Sequence, residues 1–209
     1  MQATLRATQI LMAEHDVILN VLDCLEKLAT KTSASGRLDA GTARQILEVL
    51  GTFADRCHHG KEEGALFPML VRRGLPEKVG PLAVMLSEHE TGRKEIADMR
   101  AAVEASEAGR PGAAAGFAAH AQAYVELLVA HIAKENNVLF PMADGMLGDA
   151  EQEEVLARFA AVESQDLGAG VHERCLALVE DLMRRLEVEP AARPIAHGGG
   201  CCGHGASCA

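Results

Sequence analysis

Apolar residues recur every three to four positions along almost the whole chain, and no stretch sustains the alternation of β-branched and polar residues that a strand requires. That period commits the chain to helices. A first helix is expected over residues 4–31, with Leu11, Ile18, Leu22 and Leu25 on one stripe, closed by the polar run Thr32-Ser33-Ala34-Ser35-Gly36. Asp39 or Thr42 is placed to cap a second. That helix carries Leu47, Leu50, Ala54, Ala65 and Met69 inward and stops near Arg73-Gly74, with Pro68 bending its last turns for want of an N–H. A third helix follows Pro81 with Leu82, Met85, Ile96, Met99 and Val103, and breaks at Gly109-Arg110-Pro111-Gly112. A fourth runs to about Met142 through Phe117, Tyr124, Leu127 and Val138. Four long helices with short connectors predict an all-α, up-down-up-down four-helix bundle over residues 1–147. Beyond it, Val155, Phe159 and Val162, then Val171, Cys175, Leu178 and Leu182, predict one or two additional C-terminal helices over residues 148–189, with a weak point at Gly168-Ala169-Gly170. Residues 190–209 read as a flexible Gly/Cys/His-rich tail.

A chain of 209 residues, 48% of them hydrophobic, is long enough to bury a core of this kind. Its 20 Lys and Arg face 30 Asp and Glu, and only 3% of it is aromatic. Neither a basic surface nor a stacking platform is on offer, so nucleic acid is not an expected partner. No segment supplies about 18 uncharged apolar residues, so no membrane span is expected. Glu14, His15 and Asp16 interrupt the first apolar pattern, which therefore does not read as a signal peptide, and a cytoplasmic location is expected. Cys24, Cys57 and Cys175 stand alone and read as small buried hydrophobes, which is not a secreted disulfide framework.

The helices carry an internal repeat. His58-His59-Gly60-Lys61-Glu62-Glu63 to Leu66-Phe67-Pro68-Met69 aligns without a gap on His131-Ile132-Ala133-Lys134-Glu135-Asn136 to Leu139-Phe140-Pro141-Met142, and Glu14-His15 recurs as Glu88-His89. Residues four apart on a helix project side by side, so His58 with Glu62, and His131 with Glu135, can each grip one ion. At 3.6 residues per turn His58 and Glu62 fall on the inward stripe, whereas His59 and Glu63 align with Thr52, Asp55 and Arg56 and are expected to face solvent. His15 and His89 interrupt the inward stripes of the first and third helices. Counted from the turns at about 1.5 Å per residue, the four inward histidines reach one level of the bundle. Two ionised carboxylates buried there would cost several kcal/mol each unless a cation neutralised them. Imidazole and carboxylate without thiolate suit iron or manganese better than copper(I), and six donors exceed one tetrahedral zinc. Two metals are expected, bridged by Glu62 and Glu135, with the histidines shared two per metal.

On these residues the chain resembles the hemerythrin-like, or HHE cation-binding, domain over about Leu5 to Leu147. The family's pattern falls on His15, on His58 with Glu62, on His89, and on His131 with Glu135; the Leu-Phe-Pro after each glutamate fits as well. The resemblance implies a four-helix bundle holding two non-haem iron ions. The ferritin-like Glu-x-x-His pattern is absent. The family's oxygen carriers and iron-centre repair proteins use five histidines with two carboxylates, and where the carriers place a further histidine on the third helix this chain has Arg93. His172, Glu90, Glu14 or water is left to supply the fifth donor. His120 lies on the face of His131 but about 16 Å along the helix, outside reach. Tyr124 is expected in the core.

The tail holds His197, Cys201, Cys202, His204 and Cys208, soft donors that zinc, copper(I), nickel or an iron–sulfur cluster accepts, at a spacing that matches no closed zinc site. The expected function is a di-iron protein that binds or reacts with O2, peroxide or nitric oxide in sensing, detoxification or redox chemistry. The alternative is iron storage, metal handling or iron-centre repair, with the tail passing soft metal ions to a protein partner.

Overall fold

A computed structural model describes residues 6–168 and 170–190 and is helical throughout, with no strand among the described residues. The helices are α1 (Ala7–Ser35), α2 (40–72), α3 (Pro81–Glu107), α4 (113–146), α5 (149–167) and α6 (Val171–Leu186). Contacts run from α1 to α2, α2 to α3, α3 to α4 and α4 back to α1, a ring that a four-helix bundle fits. Helices α5 and α6 pack outside it, against α1 and α2. The break between them falls at Gly168 and Gly170, both at positive φ. No helix among the described residues is long and apolar enough to cross a membrane.

Local chemistry sets the ends. Gly36 closes α1 at φ 66°, donating its N–H to the Thr32 carbonyl, a left-handed stop that glycine adopts without penalty. Asp39 caps α2: its carboxylate accepts from the Thr42 N–H and from the Thr42 hydroxyl. These two bonds hold the Asp39 carboxyl below the usual range. A carboxyl lowered on folding contributes stability above its unfolded pKa of about 3.9, and that contribution fades as pH falls through the lower folded value. Asp39→Ala is therefore expected to cost about 1 kcal/mol at neutral pH. The deficit should shrink towards nothing in melts at the acid end, and an unchanged deficit there would contradict the charged cap.

The apolar interior is divided. One cluster runs from Ile18 and Leu25 through Leu47, Phe53, Met99, Phe117 and Tyr124; the other gathers Leu11, Leu66, Phe67, Leu82, Phe140 and Phe159. Every one of α1 to α4 crosses from one cluster to the other at the level of its histidine, so the bundle is two apolar plugs with a polar layer between.

Helix α2 departs from the 3.6-residue period. It is π-helical over Leu50–His59 and again over Glu62–Leu66, and α4 is π-helical over Glu135–Leu139. The two short π turns are repeat-related, and each immediately precedes the repeated Phe-Pro. Pro68 and Pro141 have no N–H for the preceding turn, and the Phe67 and Phe140 N–H groups reach back five residues to the carbonyls of Glu62 and Glu135. The bend expected at Pro68 is thus a wider turn upstream of it. In α4 the same turn places Leu139 inward at 1% exposure and leaves its neighbour Val138 49% exposed.

Candidate metal centre

The wide turns also decide which histidines face the middle. A turn closed by i to i+5 bonds advances each residue by less than the usual 100°, so neighbours that an α-helix would separate share a face. On α2 both His58 and His59 are buried, at 1% and 4% exposure. The expectation that His59 faces solvent is therefore corrected. Its ring stacks on that of His89 with centroids 3.8 Å apart and planes 16° from parallel.

Two donor groups result, each drawn to within 4.8 Å. One comprises His15, His58, Glu62 and Glu135; the other comprises His59, Glu62, His89 and His131. Glu62 belongs to both: its Oε1 lies 3.6 Å from His58 Nε2 and its Oε2 3.5 Å from His89 Nε2. Glu135 also spans, with Oε2 3.1 Å from His15 Nε2 and Oε1 3.4 Å from His131 Nε2. The six residues singled out in the sequence are thus brought together, and His59 joins them. The histidines divide two and three between the groups.

The outer nitrogens of four of the five rings are engaged, while His59 Nδ1 is buried without a hydrogen bond, 3.6 Å from Asp55 Oδ1. His58 Nδ1 meets Glu14 Oε2 at 2.9 Å, His89 Nδ1 meets Glu63 Oε1 at 2.6 Å, His131 Nδ1 meets Glu88 Oε2 at 2.9 Å, and His15 Nδ1 meets Asn136 Oδ1 at 2.8 Å. Carboxylate and amide oxygens only accept, so each Nδ1 carries the proton and donates it, leaving a lone pair on every Nε2. Those lone pairs point at one another: His89 Nε2 and His131 Nε2 are 3.1 Å apart. Both oxygens of Glu62, both of Glu135, and Nε2 of His15 and His58 are buried with no hydrogen-bond partner. Unpaired acceptors facing acceptors in a dry core repel, and bare protein does not leave so many unsatisfied. Burial, then the facing Glu135 carboxylate, pushes the Glu62 carboxyl well above its usual range. Burial likewise lowers the His58 and His131 rings and brings His59 down to about 4, so these rings are neutral, as metal ligands must be. The donor set fits a pair of cations, with Glu62 and Glu135 placed to reach both.

The other candidates lie elsewhere. His172 joins neither group; it sits near Glu14, Cys57 and Glu163, its ring 5.2 Å from that of Phe53. Glu14 contacts the outer nitrogen of His58. Glu90 is 74% exposed and pairs with Arg93. Arg93 does not point a donor inward; it binds Asp55 and Glu63, which lie 3.6 Å from His59 Nδ1 and 2.6 Å from His89 Nδ1. His120 pairs with Glu95 at the surface, and Tyr124 is buried in the core. Cys24, Cys57 and Cys175 are buried, with burial pushing the first two thiols up to about 11 and 12. His197, Cys201, Cys202, His204 and Cys208 lie outside the described residues. Sequence reasoning passed over Glu88, Glu63, Asn136, Lys61 and Lys134. The signal for some of them was present, because Glu14 and Glu88, like Lys61 and Lys134, occupy equivalent positions of the repeat.

A sequence model of the hemerythrin HHE cation-binding domain matches residues 6–143. Proteins of Mycobacterium bovis and Mycobacterium tuberculosis, each described as uncharacterized, are 23% identical over 182 residues, spanning 87% of this chain and 71% of theirs. No solved structure matches the chain.

Proposed function

Because the chain belongs to the hemerythrin HHE cation-binding family, we propose that its bundle holds two iron ions and uses them to bind or react with a small ligand such as O2, nitric oxide or peroxide. The observation that supports this most is the convergence of five buried histidines on two carboxylates whose four oxygens have no hydrogen-bond partner. His15 and His58 would hold one ion, His59, His89 and His131 the other, and Glu62 and Glu135 both. A bound iron pair supplies reversible redox change at neutral pH. The chain's own residues do the rest. Glu14, Glu63, Glu88 and Asn136 fix the tautomers and aim the rings of His58, His89, His131 and His15. Phe140 stacked on His15 and Phe67 on His89, at 5.4 and 5.9 Å, keep water from the rings. The His15–His58 side offers one nitrogen fewer, so an ion held there would have fewer protein donors and could take up a small ligand.

The test is metal analysis of anaerobically purified protein, followed by spectra of the reduced form titrated with O2, hydrogen peroxide and nitric oxide. About two irons per chain and a new visible charge-transfer band with at least one ligand are expected. Trace iron only, with His58→Ala changing nothing, would end this reading. Iron at full stoichiometry with no response to any of the three would move the function to iron storage or handling.

A further inference from the structure

The repeat gives the two halves of the centre matching surroundings, and the C-terminal helices break the match. Glu14 accepts a hydrogen bond from His58 Nδ1 and another from Lys61; Glu88 accepts one from His131 Nδ1 and another from Lys134. Lys134 is 40% exposed, as a lysine ordinarily is. Lys61 is 0% exposed. The difference comes from α5: Glu163 forms a second ion pair with Lys61, and the Phe159 ring lies 5.7 Å from the Lys61 ammonium. Val162 of α5 also packs beside the α2 backbone, where a Cβ on Gly60 would meet its Cγ1 in ordinary contact at 3.6 Å. A continuous line of contacts therefore runs from α5 through Lys61 and Glu14 to the outer nitrogen of His58. Among the described residues no such line reaches His131.

Resting on the two-metal reading above, we propose that α5 controls one half of the centre: Glu163 and Phe159 are positioning residues that, through Lys61 and Glu14, hold His58 aimed inward. The ion on the His15–His58 side is retained while α5 is docked and is released when it lifts. The physical basis is the buried ammonium. Lys61 is tolerated there by two carboxylates and an aromatic face; with Glu163 gone it turns to water or leans wholly on Glu14, and either change moves the acceptor that fixes the His58 ring. The ion held by His89 and His131 has no such dependence, because Lys134 already meets solvent.

The experiment loads the full chain with ferrous iron under anaerobic conditions and follows its release to a chromogenic chelator in the parent protein, Glu163→Gln, Phe159→Ala and Glu163→Asp. In the first two variants one equivalent is expected to leave roughly ten- to a hundredfold faster while the second keeps the parent rate. Glu163→Asp, which keeps the charge, should restore much of the slow release. Two equivalents leaving at the parent rate in both variants, or accelerating together, would overturn the coupling; the second pattern is what a merely loosened bundle gives. A parent protein that binds no more than about one equivalent would overturn the two-metal reading itself, which is read from stoichiometry before any rate is compared.

Discussion

Replacing Glu62 by Ala is expected to empty both halves of the centre at once, although the side chain removed is a single one. Its two oxygens face different histidines, His58 and His89, so no single-site loss is available to it. The loaded protein should fall from about two irons per chain to less than half of one. Glu62→Gln separates binding from folding. In the loaded protein it should also lose metal, because the amide is a poor bridge between cations. In the metal-free protein it should raise stability by about 1–3 kcal/mol, since it removes a carboxylate buried without hydrogen bonds beside that of Glu135. For a chain of this size that is several degrees in the melting temperature. Opposite signs in the metal-free and loaded melts would identify a group selected for the ion and carried at a cost by the fold. A loss of stability in both would mean that Glu62 is structural.

His59→Leu is the second large effect, and it separates the linear reading of the sequence from the structure. Were α2 an ideal α-helix, His59 would be a surface residue, and its substitution would shift stability by no more than about 0.5 kcal/mol and leave metal untouched. With α2 π-helical, His59 is one of three histidines on its side. Loss of about one of two metal equivalents is expected, with the ion at His15 and His58 retained and the helical content unchanged. His172→Ala, by contrast, should leave the stoichiometry at two. Metal content by elemental analysis, together with circular dichroism, checks both; full occupancy in His59→Leu would return the residue to a stacking role against His89.

How much of this was legible in the residues can be judged from α2 and α4. The inward positions of His15, His58, His89 and His131 follow from stripes of period 3.6 on four helices, and their common level follows from counting residues to the turns. Both arguments use only local geometry, and the histidine layer between two apolar clusters agrees with them. His59 falls on the wrong face in a reading of constant period because it lies in a π segment, where the angular advance per residue is smaller and the error accumulates along the segment. The repeated Phe-Pro after each glutamate marks where the shorter turns sit, but not the ten-residue π segment over Leu50–His59. Nothing in the order of residues announces that segment.

The outer ring of carboxylates divides the same way. Glu14 and Glu88 stand next to His15 and His89 in the chain, and adjacency suggests partnership with those rings. In the fold each instead bonds the histidine of a neighbouring helix, His58 and His131. Adjacent residues on a helix point about 100° apart, so a carboxylate beside an inward histidine is aimed at the next helix.

By itself, then, the sequence determined the helical class, the duplicated halves and six of the seven candidate donors that the fold gathers in one layer, because hydrophobic period and repeat spacing are properties of a single chain. Only the tertiary structure decided the seventh donor, His59, and the burial of Lys61 beneath α5. The first depends on how far the backbone unwinds where helices pack, the second on which helix lies across it, and neither quantity is local.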